Sequence, residues 1–120
     1  MSNSEIKHLS DKIHIHRWPQ DSPVWDDFTQ NQLDNTINKN KKKKQVTIKE
    51  NIIQIENIQF FALKKIGITL PFFKKECTMI FEAQFGKLFA HVHVTIKSEN
   101  YVDVFTELTS WKNRVFPNDS

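Results

Sequence analysis

Glycine and cysteine are almost missing from this chain of 120 residues, which has two of the first and one of the second. Two glycines cannot build a Gly-rich phosphate loop. No Gly-x-Ser-x-Gly elbow is present, nor a Cys–His nucleophile pair in a recognisable setting. The lone Cys77 excludes an internal disulfide, so nothing favours an oxidising compartment and the expected location is cytoplasmic. Long apolar runs are lacking too. The most apolar stretch, Ile58 to Phe73, is broken by Lys64, Lys65 and Pro71, well short of the roughly 20 residues of a membrane-spanning helix. Met1 to Lys12 is polar and lacks the apolar centre of a signal peptide. Arginine is scarce, and the net charge of +3 depends on the run Lys41–Lys44, without which it would be slightly negative.

What is present reads as one domain over residues 1–120. Ile13 and Ile15 alternate with His14 and His16, the period of a strand, and Pro19 stops it. Asp21 or Ser22 then serves as a cap for a short helix with Pro23 in its first turn and Trp25, Phe28 and Leu33 on its buried stripe. Asp34 to Lys44 has Ile37 as its only apolar residue and is expected to be a flexible linker or loop, because little there offsets the entropy of ordering. Val46–Lys49 and Ile53–Glu56 read as short strands around a Glu50–Asn51 turn. Ile58–Ile68 reads as a strand covered on both faces, followed by a loop in which Phe72 and Phe73 plug the core or form an apolar tip.

Cys77, Met79, Phe81, Ala83 and Phe85 share one parity. After Gly86, Leu88, Ala90, Val92, Val94 and Ile96 continue it on a return strand. The last segment runs from the cap Ser98 to Val115. Tyr101, Val104, Phe105, Leu108 and Trp111 recur there at spacings of three and four, an amphipathic helix made to pack on a sheet. The fold class is therefore α+β: an antiparallel sheet or partly open β-roll with a short N-terminal helix and a C-terminal amphipathic helix.

The order from Val46 to Trp111, short antiparallel strands followed by one terminal amphipathic helix, resembles the bacterial pleckstrin-homology-like domains. That resemblance implies a partly open roll capped by the last helix, in a family whose members mostly bind proteins or lipid headgroups. It carries over no site residue.

Four of the five histidines form two His-x-His pairs, His14–His16 and His91–His93, each on a strand and each pointing to one face. Converging, they would suit zinc, nickel or copper, in a metal-dependent hydrolase or metal-binding protein. No carboxylate or cysteine stands near either pair in the sequence, so the expectation is separated strands or an empty patch, with no cofactor. His8-Leu9-Ser10 with His93-Val94-Thr95 matches the paired His-x-Ser/Thr signature of two-histidine phosphoesterases, a pattern short enough to arise by chance. Lys41, Lys42, Lys43 and Lys44 could meet nucleic-acid phosphates, though no arginine or aromatic residue accompanies them. Without catalytic motifs, the sequence points first to a non-enzymatic module of adaptor, immunity or inhibitor type. It would bind another protein through its sheet surface and Trp18, Trp25 and Phe28.

Overall fold

In a computed structural model that describes residues 5–71 and 74–117, the chain forms one antiparallel sheet of seven strands and two α-helices, an α+β arrangement. The strands are β1 (Ile6–Ser10), β2 (Lys12–Arg17), β3 (Lys44–Lys49), β4 (Ile52–Ile55), β5 (Ile58–Thr69), β6 (Glu76–Phe85) and β7 (Leu88–Lys97). Helix α1 spans Asp27–Leu33 and α2 spans Tyr101–Val115. Sheet order is β1-β3-β4-β5-β6-β7-β2. β1 and β2 are separated only by Asp11, yet they lie at opposite ends of that order, so the sheet must curl until its two ends approach. It stays open, with the Ser10 hydroxyl donating to the Thr95 carbonyl across the gap.

Alternation decides which face is which. Cys77, Met79, Phe81, Ala83, Ala90, Val92 and Val94 are fully buried, as the parity of β6 and β7 requires. Tight turns join consecutive strands: Glu50 (φ 54°), Glu56 (φ 55°) and Gly86 (φ 62°) adopt the left-handed backbone that two-residue hairpin loops need. Helix α2 closes the interior with Val104, Leu108 and Trp111, and the Trp111 indole donates to the Glu50 carbonyl, tying the helix to the β3–β4 turn. The cap position is Asn100, two residues after the expected Ser98, whose hydroxyl instead accepts from the Asn100 amide at 3.0 Å.

Several expectations are corrected. The helix placed at Asp21 begins at Asp27, capped by the Asp26 carboxylate on the Thr29 amide at 2.8 Å. The Arg17 guanidinium takes the Gln20 and Ser22 carbonyls, folding 19–22 into a turn instead. Trp25 is buried ahead of the helix, whereas Phe28, placed on the buried stripe, is 75% exposed. β5 buries one face only: Ile58, Phe60, Ala62 and Ile66 point inward and Phe61 outward, with a bulge at 63–65 that absorbs Lys64 and Lys65. β1 is a further strand in a segment whose polar composition gives no strand signal. Phe72 and Phe73 lie outside the described residues.

The segment read as a flexible linker carries structure over part of its length. Asp34–Asn38 is a π-helical turn whose Ile37 is buried, and Lys44 already belongs to β3. The turn is anchored by Asn38. Its carboxamide accepts from the Ile15 amide at 2.8 Å and donates to the Ile15 carbonyl at 2.9 Å, standing in for a neighbouring strand at the edge of β2. Composition hid this, because a single amide side chain supplies both bonds.

Candidate metal centre

β2 pairs with β7, and the register sets His14 opposite His93 and His16 opposite His91. Of the two expected alternatives, separated strands or an empty patch, the first is thereby overturned. Ile13, Ile15, Val92 and Val94 take the inward positions, so all four imidazoles share the outward face. Directly opposite residues in an antiparallel pair have β-carbons about 4.5–5.5 Å apart, so the register alone builds a compact cluster.

Ring centroids are 5.3 Å apart for His14–His16, 5.5 Å for His91–His93, 5.6 Å for His16–His91 and 5.7 Å for His16–His93. His16, His91 and His93 each offer a ring nitrogen within 4.8 Å of the other two. His14 stands beside this triad, 6.4 Å from His93 between centroids. The His16 Nδ1 is buried and has no hydrogen-bond partner, a condition that costs about 1–3 kcal/mol unless something binds there.

The electrostatics favour neutral rings. Partial burial pushes the His16 imidazole below its ordinary proton affinity, and the neighbouring His14, His91 and His93 push it further. His93 is lowered in the same way, by burial first and then by His91 and His14. Neutral imidazole is the form that donates a lone pair to a metal.

The surroundings also correct the sequence reading. Glu82 of β6 lies opposite His91, so the β6–β7 register sets a carboxylate beside the second pair. Trp18, proposed as a protein-binding anchor, stacks on His91 at 5.6 Å with ring planes 25° apart. Beyond His91 an open depression of about 420 Å³ is lined by Lys65, Gly67, Ile80, Glu82 and Lys112.

The other candidates disperse. Trp25 is 5% exposed, and its indole donates to the Phe89 carbonyl at 3.3 Å, which makes it a packing residue. Lys44 is 2% exposed with its ammonium donating to the Asn40 and Lys42 carbonyls, so the basic run presents three lysines, not four. His8 lies on the inward parity of β1, opposite Val46, and its Nε2 meets Glu107 of α2 at 2.8 Å. His8 and His93 thus occupy opposite faces, and the phosphoesterase pattern has no common site. Cys77 is a buried thiol whose pKa burial pushes up to about 11. Comparison of the chain with protein-family models, with curated proteins and with solved structures returned no match.

Proposed function

We propose that this protein binds a divalent first-row transition-metal ion of the zinc class through His16, His91 and His93. The observation that carries the reading is the approach of three imidazole nitrogens to within 4.8 Å of one another from two strands that are distant in sequence. A tetrahedral ion with nitrogen ligands at about 2.0–2.1 Å holds those nitrogens roughly 3.4 Å apart, which small side-chain rotations reach. The unpartnered Nδ1 of His16 and the depressed proton affinities of His16 and His93 fit a ligand set held ready in its neutral form.

Nitrogen-only ligation suits zinc, cobalt, nickel or copper and disfavours magnesium and calcium, which take oxygen. Three protein ligands leave a fourth position open, the arrangement of reactive rather than purely structural zinc sites. His14 stands beside the triad, and Glu82 supplies a carboxylate on the far side of His91. Trp18 covers the opposite side of His91 and orients its ring.

Calorimetric titration of untagged protein with zinc tests the reading. We expect one zinc per chain, and its loss in His91→Ala/His93→Ala, whose partly exposed positions allow the far-UV circular dichroism to stay unchanged. No zinc uptake by the wild type, or undiminished uptake by the folded double variant, would refute it.

A further inference from the structure

The chain has only two glycines, and one of them has no conformational reason to be there. Gly86 turns the β6–β7 hairpin at φ 62°, where a side chain would be strained. Gly67 sits inside β5 without a positive φ, and a β-carbon built on it would meet nothing within 4 Å. Neither backbone nor packing demands glycine at this position, although glycine weakens a strand interior. What its missing side chain provides is open space. Across the sheet, Gly67 faces Ile80, Ile80 faces His93, and His93 faces His14, so the opened space lies in the same row as the histidine cluster. With strands about 4.8 Å apart, Gly67 is roughly 10 Å from His93, the span of a small ligand.

The walls of this space have a definite charge. Lys65 and Lys112 line the same depression as Gly67 and His91, and neither takes part in an ion pair among the described residues. Glu82 is the only acidic residue among the described residues that line the depression. With a divalent ion on three neutral histidines, the local balance is strongly positive, and His91 belongs both to the triad and to the lining of the depression.

We infer that the depression bounded by Gly67, Lys65, Lys112 and His91 is the binding site for a small oxyanion, one of whose oxygens occupies the open position on the metal. This inference rests on the metal reading above. Phosphate and carboxylate groups share the required chemistry: an anionic oxygen donor for the ion, and further oxygens to accept from the two ammonium groups. The metal and the lysines therefore act together, and each is expected to bind the anion weakly alone.

Cobalt(II) provides the test, because its visible d–d bands report changes in its coordination. Inorganic phosphate and acetate are titrated separately into the cobalt-loaded wild-type chain, into Lys65→Gln/Lys112→Gln, and into Gly67→Leu, whose side chain fills the depression. Cobalt uptake and circular dichroism check each variant first. Saturable perturbation of the bands is expected in the wild type, weakened about tenfold or more in both variants with cobalt affinity unchanged. A response to phosphate supports the phosphoryl source, and a response to acetate alone supports a carboxylate source. Bands that respond to neither anion, or variants that respond as strongly as the wild type, overturn the oxyanion site while leaving the metal site standing. Failure of the wild type to take up cobalt overturns both.

Discussion

The outward face of β2 and β7 and the segment from Trp18 to Lys44 began as rival candidate sites, and the fold treats them in opposite ways. On the first, register gathers four imidazoles from two rungs whose partners are 75 and 79 residues apart in sequence. In the second, Trp25 and Lys44 are drawn inward and Phe28 is left exposed on the surface. The difference lies in the backbone. A strand fixes which side chains share a face, so residue types on paired strands predict a site, whereas an enriched loop predicts only composition.

The largest effect that can sharpen the comparison concerns neither region but the interior that supports both. Trp111→Ala removes a fully buried indole and its bond to Glu50, and should cost about 3–5 kcal/mol, a large share of a domain's total of about 5–15 kcal/mol. Urea denaturation measures it. A variant as stable as the wild type would make α2 an appendage, and the curled sheet would then need another explanation.

Asn38→Ala comes next. It takes away the side chain that occupies the edge of β2, leaving the Ile15 amide and carbonyl unpaired, and should cost roughly 1–3 kcal/mol. Hydrogen exchange should show faster exchange in β2 than in β4. Unchanged protection of β2 would mean that the segment after α1 does not hold the histidine strand in place.

Acid should weaken the metal-free protein through the histidine face. His16 and His93 have folded-state proton affinities below the ordinary value near 6.5, so the unfolded chain binds more protons in mildly acidic solution. Stability is therefore full above that value and falls as pH drops through the lowered folded-state range. His16→Gln/His93→Gln should flatten the decline in urea midpoints between neutral and mildly acid pH. The same slope in the variant would place the acid sensitivity elsewhere.

The smallest effects belong to the dispersed candidates. Lys41→Gln/Lys42→Gln/Lys43→Gln and Phe28→Ser alter exposed side chains and should change stability by no more than about 0.5 kcal/mol. Thermal melts check this, and a large loss would show that the segment packs more closely than its exposure indicates.

The sequence made the β6–β7 hairpin legible, because ten alternating positions leave one choice of face, and it made α2 legible through its three-and-four spacing. Short elements escaped. β1 carries one buried aliphatic residue, Ile6, and its other inward positions are the polar His8 and Ser10, so its alternation is faint. Half of the candidate centre was also readable: each His-x-His pair declares its own two-residue set. Their meeting was not, because the pairing of β2 with β7 is non-local and no local pattern encodes it. Lys65, Gly67 and Lys112 escape for the same reason, although a glycine inside a strand is a readable signal, whereas Glu82 already shares the outward parity of the β6–β7 hairpin with His91 and His93.

The central claim is that three named imidazoles bind one ion. Imidazole nitrogen NMR on uniformly labelled protein, recorded before and after one equivalent of zinc, addresses it most directly. The account predicts that one ring nitrogen each of His16, His91 and His93 moves to a coordinated shift while His8, engaged with Glu107, stays where it was. Resonances of the triad that remain unchanged, or a zinc-dependent shift confined to His8, would contradict it.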